Sequence, residues 1–354
     1  MTQRWKNRPE GSNWGDFGPD DQIGRLNLLT PEKVRQGVAE VKEGIKFCLS
    51  LPLNYPGGNA VNPRRNPPRI FTHDRDGRPC FNHEQMSQGS DLTDVVNDDI
   101  VVLYSQYPSQ WDSLGHVGSM FDADGDGEPE IVYYNGYRGD THFVDPQTDI
   151  GIDGWDRYEG ASAKALGIEN FAVNCVQGRG VMIDLEAHFG TEGRRVGYDE
   201  IMHVLEADDV IVEEADMVLL HTGFGRMLME MGGTPDPARV RPNPCAELNG
   251  WDERLLQWIT DSGLVALLAD SWAVGCDPRW LPNPDAPGPG SRRPWLPLHE
   301  HCLFKIGVLL AELWRLSELA DWLRTKGRSR FFLTAPPLRL PSAVGSPVTP
   351  VATV

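Results

Sequence analysis

The sequence predicts an α/β protein built on a mixed β-sheet. Two observations carry this. Short apolar runs bounded by turn residues recur at 98–105 (DDIVVLYS), 180–185 (GVMIDL), 217–222 (MVLLHT) and 264–270 (LVALLAD), the pattern of buried strands. Segments with helical spacing of apolar residues lie between them, at 198–205 and 251–262. Alternation of this kind points to a sheet flanked by helices. No internal repeat and no low-complexity linker divides the chain, so residues 1–354 are expected to form one domain.

The elements follow in order. Residues 1–25 carry Gly, Pro, Asp and Trp and read as an ordered arm. Thr30-Pro31-Glu32 is a helix start, with Thr as N-cap, Pro at the first helical position and Glu near the positive end of the dipole. That helix should run to about Lys42 and stop near Gly44. A strand is expected over 47–53. Residues 54–69 hold Pro56, Gly57, Gly58, Pro63, Pro67 and Pro68 and form a long loop, a place where functional lids often lie. Residues 282–297 are a second Pro/Gly-rich loop. Helices are expected over 299–310 and 316–323, and a late strand over 328–334. The Pro-rich segment 336–354 should run extended over the surface.

The formal charge of -18 repels nucleic acid and anionic lipid, and no Lys/Arg run offsets it. Six cysteines (Cys48, Cys80, Cys175, Cys245, Cys276 and Cys302) are scattered without a C-x-x-C pair, so free thiols in a reducing compartment are the plain reading. The polar N-terminus lacks the apolar core of a secretory signal. No apolar run reaches the roughly 20 residues of a membrane span. A soluble, cytoplasmic protein with a small-molecule substrate, and with no nucleic-acid or membrane partner, is the expectation.

Two segments can carry chemistry. Residues 105–118 (SQYPSQWDSLGHVG) follow the expected strand 98–105 and bring Gln110, Asp112 and His116 within seven residues. An anionic oxygen, a neutral carbonyl oxygen and an imidazole could bind Mn²⁺ or Zn²⁺ and hold a base beside it. Spacing alone favours a polar turn around a core Trp111, because D-x-x-x-H is common. In residues 299–312 (HEHCLFKIGVLLAE), His299 heads an apolar stretch and Glu312 lies beyond it. A carboxylate in so apolar a setting needs a partner, a metal or an Arg, unless it sits exposed on an amphipathic helix.

Here a family resemblance enters. Gln106-Tyr107-Pro108-Ser109-Gln110-Trp111-Asp112-Ser113-Leu114-Gly115-His116 resembles the H-x-G-T-H-x-D-x-x-x-H signature of the putative cyclase family, which includes bacterial kynurenine formamidases and isatin hydrolases. It looks closer to the longer branch of that family, whose motif runs like T-Q-W-D-x-L-x-H. Gly178 to Asp184 resembles G-R-G-V-L-L-D, and Ala269 to Val274 resembles A-D-N-W-A-V. Ala215 to Gly223 resembles G-D-x-x-L-x-R-T-G, with His221 where Arg is usual. The stretch from Leu298-His299 to Glu312-Leu313-Trp314 resembles the closing metal motif, and Gly345-Ser346-Pro347-Val348 also looks familial. These segments span roughly residues 12 to 352 in family order.

The resemblance implies a cyclase-type α/β fold, with a mixed sheet or partial barrel and flanking helices. It also implies homodimers or homotetramers. Asp112, His299 and Glu312 match metal ligands, and His116 matches the general acid/base. Gln106 and Gln110 stand where formamidases have two ligand histidines. One divalent metal, Mn²⁺ or Zn²⁺, is therefore expected, with Gln110 as an additional ligand. The implied reaction is hydrolysis of an amide, lactam or lactone in a small cyclic or aryl substrate. The alternative is a catalytically inactive member that binds small molecules.

Further candidates are weaker. Gln106, Trp111, His221, Trp272 and His73 are the residues to examine for substrate contact, and Trp14 is a further aromatic for a pocket wall. Arg179 and Asp184 sit on a buried strand pattern and are read as a structural ion pair. Residues 122–127 (DADGDG) match half of a calcium loop but place Tyr133 where the bidentate Glu belongs, so an acidic surface turn is the plainer reading. No G-x-S-x-G elbow and no G-x-G-x-x-G after a strand supports a serine hydrolase or a dinucleotide enzyme.

Overall fold

In the computed structural model, residues 3–145, 161–241, 243–275, 281, 283–288 and 290–354 are described. Cys276, expected as a free thiol, and Pro282, expected to open the second loop, lie outside them. Nine strands of the described residues form one curled, half-barrel sheet. They are β1 (Lys46–Cys48), β2 (Gln110–Asp112), β3 (Gln177–Asp184), β4 (Met217–His221), β5 (Ala266–Ala269), β6 (Leu309–Glu312), β7 (Arg330–Thr334), β8 (Gly345–Pro347) and β9 (Val351–Thr353). The order is β1-β9-β7-β3-β4-β5-β6-β2-β8. Strands β3 to β6 are mutually parallel, and both flanks are antiparallel. The sheet is mixed, as the sequence predicts.

The parallel strands read as continuous apolar runs because both of their faces are covered. Helices α1 (Pro31–Val38), α2 (Tyr198–Ala207), α3 (Phe224–Glu230), α4 (Glu253–Asp261) and α5 (Ser317–Lys326) flank them. Thr30 caps α1 as expected. The helix ends at Val38 rather than near Lys42. Gly37 lies against the β3 backbone, where a Cβ would meet the Gly178 carbonyl carbon at 2.6 Å, and the N–H groups of Glu43 and Gly44 are taken by the Val354 carbonyl. Tertiary contacts therefore claim the residues that propensity would have left helical. The N-terminal arm is ordered through Trp14, whose indole is buried and donates to the Phe304 carbonyl at 2.7 Å. Trp14 is thus a core residue.

Four other expectations need correction. The strand expected over 98–105 is only Ile100–Val102, half-exposed, and pairs with Arg69–Phe71 in a separate two-stranded ribbon. The strand expected over 47–53 shortens to β1, followed by a bridge from Ser50 to Trp314. The helix expected over 299–310 ends at Lys305, after a short turn Pro297–His299 and a π-helical stretch Glu300–Lys305. Gly307 then adopts φ +58 against Gly24, a backbone turn that suits glycine, and the chain enters β6. A fully buried apolar run has no periodicity to separate strand from helix, which is why 306–313 misled. Finally, the C-terminal segment does not simply drape the surface, because it supplies β8 and β9 to the sheet.

Candidate active site

The motif 105–118 does not follow a core strand; its centre is one. Strand β2 pairs antiparallel with β6, with Gln110 opposite Glu312, Trp111 opposite Ala311 and Asp112 opposite Leu310. Side chains alternate along a strand, so Gln110 and Asp112 share the face of Glu312 while Trp111 points the other way. His299 reaches the same place from the turn that precedes β6. Ligand atoms of Asp112, His299 and Glu312 all lie within 4.8 Å of one another, and all three residues are buried. His299 Nε2 is 3.1 Å from Glu312 Oε1, and Gln110 Nε2 donates to Glu312 Oε2 at 3.0 Å. Both Asp112 oxygens, the Gln110 side-chain oxygen Oε1 and His299 Nδ1 are buried without a hydrogen-bond partner. Buried polar atoms are nearly always paired, so four such atoms in one place are unusual.

Electrostatics follow from this crowding. Burial pushes the Asp112 carboxyl above the usual carboxylate range; Glu312 adds to the push, and His116, His299 and Arg65 oppose it. Burial works against a charged His299, but the Glu312 hydrogen bond and charge outweigh it and raise the imidazole pKa.

His116 lies at the rim, partly exposed, with Nε2 3.7 Å from Asp112 Oδ1. Gln106 stands behind it. Its amide nitrogen is 3.4 Å from His116 Nδ1, its side-chain oxygen accepts from Ser105 Oγ, and its backbone carbonyl accepts from Arg65. Gly345 on β8 makes room for this residue, because a Cβ there would meet Gln106 Nε2 at 2.2 Å. Arg65 was missed in the sequence. The composition of its loop signalled a functional segment, but nothing singled out this arginine among its neighbours.

Trp111 is fully buried in the core, packed edge-on to Trp314, and its indole donates to the Ala335 carbonyl at 2.8 Å. His221 is fully buried between Asp184 Oδ1 at 2.8 Å, Ser317 Oγ at 3.0 Å and Glu186 Oε2 at 3.1 Å. Trp272 is partly buried and packs against a second apolar cluster that includes Leu51, Phe224 and Leu313. His73 is exposed beside Cys80 and Asp98. Asp122, Asp124 and Asp126 form a turn whose carboxylates accept its own backbone N–H groups. Arg179 and Asp184 are ion-paired with other residues, not with each other.

A curled mixed sheet that gathers two carboxylates and an imidazole on one buried face defines a cyclase-type α/β protein. The chain belongs to the Putative cyclase family, whose model matches residues 50–275. It is similar to the crystal structure of a novel cyclase, at 26% identity and TM-score 0.72 over 97% of each chain. It also shares its fold with isatin hydrolase A from Labrenzia aggregata bound to benzyl benzoate, at 12% identity and TM-score 0.51, over 91% of this chain and 98% of that one. The isatin hydrolase A of Ralstonia solanacearum matches at 12% identity and TM-score 0.51, over 91% of this chain and 97% of that one. No curated protein matches the chain.

Proposed function

We propose that the chain is a metal-dependent hydrolase that opens an amide, lactam or lactone bond in a small cyclic or aryl substrate. The observation that carries this reading is Asp112, whose two buried oxygens have no hydrogen-bond partner and lie beside His299 and Glu312. Asp112, His299 and Glu312 would hold one divalent metal, with the Gln110 side-chain oxygen Oε1 as a fourth donor. Oxygen donors with one imidazole suit Mn²⁺ as well as Zn²⁺. When bound, such an ion would lower the pKa of water toward ~7 and polarise a substrate carbonyl.

The chain's own residues do the rest. His116 takes a proton from the attacking water at Nε2 and returns it to the leaving nitrogen or oxygen. Gln106 orients the ring. Its side-chain amide faces Nδ1 at 3.4 Å, and with the amide oxygen accepting from Nδ1–H, Nε2 is free to take the proton. Arg65, held by the Gln106 carbonyl, keeps a positive charge near the reacting group. Replacing His116 by Ala should lower kcat roughly a hundred- to ten-thousand-fold on whichever amide, lactam or lactone is turned over. Metal content should be unchanged, and full turnover in His116→Ala would refute the assignment. The isatin hydrolases supply the lactam as the first substrate class to screen.

A further inference from the structure

Outside this site the fold assembles a second set of metal-ligating side chains. Residues 69–102 leave the central sheet as three two-stranded ribbons. Arg69–Phe71 pairs with Ile100–Val102, Asp74–Arg75 with Arg78–Pro79, and His83–Glu84 with Val95–Val96. The excursion has little core: Ile70, Phe71, Phe81, Met86, Val95 and Val101 are exposed, while Cys80 is fully buried. A small unit that buries so little apolar surface generally needs a cross-link or a metal. Its three passes are already tied together by backbone groups. Cys80 N–H donates to the His73 carbonyl at 2.9 Å, and Asp98 N–H to the Cys80 carbonyl at 2.9 Å. Thr72 Oγ1 donates to the Asp98 carbonyl at 2.8 Å. This ladder brings ligand atoms of His73, Cys80 and Asp98 within 4.8 Å of one another. Cys80 Sγ is 3.6 Å from Asp98 Oδ2. A thiolate and a carboxylate on one tetrahedral zinc are about 3.5 Å apart, from bond lengths of roughly 2.3 and 2.0 Å.

We propose that His73, Cys80 and Asp98 bind a zinc-type divalent metal that clips this excursion together. Thiolate with imidazole selects such a metal over magnesium or calcium, unlike the oxygen-rich set around Asp112. Binding releases the Cys80 thiol proton to solvent. His73 and Asp98 are exposed, so the fourth position opens to water. The sequence hides the site because the ligands come from three separate passes of the chain.

The test is to titrate the full-length, metal-free protein with Co²⁺ alone and follow the thiolate-to-cobalt charge-transfer band in the near ultraviolet. The band should appear in the wild type and in Asp112→Asn and be lost in Cys80→Ser. Replacing buried Cys80 can disturb folding, so His73→Ala is the decisive variant: it is exposed and keeps every thiol. Losing even an outer partner of a metal site costs roughly 10- to 100-fold, so His73→Ala should weaken Co²⁺ binding at least about ten-fold. No band in the wild type, or equal affinity in His73→Ala, overturns the proposal.

Discussion

Arg179 donates from Nε and Nη2 to Asp216 at 2.8 and 3.1 Å, and Asp216 is fully buried. Glu213 completes the group, 2.8 Å from the same guanidinium. Truncating one partner of a buried pair strands the other charge, so Arg179→Met should cost ~3–5 kcal/mol in urea unfolding. A loss below ~1 kcal/mol would show that Glu213 and water screen the pair. The structural ion pair that the sequence suggests for Arg179 and Asp184 does not form; Arg179 pairs with Asp216 and Glu213, and Asp184 with His221 and Arg324. The two residues are five apart on β3, so they face opposite sides of the sheet and pair separately. The two segments that the sequence singles out, 105–118 and 299–312, do meet, bringing Asp112, His299 and Glu312 together. Arg65, Ser105 and the Gln106–His116 contact were not legible, because a loop side chain's direction is set by tertiary packing.

At the scale of elements, the parallel strands end in ionisable residues: Asp184 on β3, His221 on β4 and Asp270 just after β5. Burial would raise the Asp184 pKa, but hydrogen bonds from His221 and Arg324 hold it at about 2, against an ordinary 3.8. A depressed carboxylate contributes stability that is present above its unfolded pKa and lost as pH falls through the folded one. The window is therefore from about pH 4 to about pH 2. The shift corresponds to ~2 kcal/mol once the half-exposed Arg324 is discounted for screening. Asp184→Asn should lower stability by about that amount at pH 5 and flatten the acid limb of the stability profile. An unchanged acid limb would show that the cluster contributes nothing to acid sensitivity. Strands β3, β4 and β5 were legible because turn residues bound their apolar runs. Strand β6 was not, since only Gly307 and its packing on Gly24 separate it from the preceding helical turns.

At the scale of the whole molecule, the C-terminal segment adds a strand at one edge of the sheet and another next to the opposite edge. Strand β9 pairs with β1 and β7, while β8 pairs with β2 and sets Gly345 opposite Asp112. The mixed α/β class was legible from alternation, but the role of residues 336–354 was not. Prolines and short strands hide a segment that gains order only by joining distant partners. A chain ending at Ala335 should lose cooperative thermal unfolding, because two sheet strands and the surface they cover are removed. Retention of a wild-type Tm would contradict the topology. No helix among the described residues is long and apolar enough to cross a membrane. The central claim is that Asp112, His299 and Glu312 hold one divalent metal, and elemental analysis of wild type against Asp112→Ala tests it most directly. The account predicts that the mutant carries about one equivalent of Mn or Zn less per chain, while any metal on His73, Cys80 and Asp98 stays in both. Equal metal content in the two proteins after incubation with Mn²⁺ and Zn²⁺ would contradict it and favour a binding module that has lost the hydrolytic site.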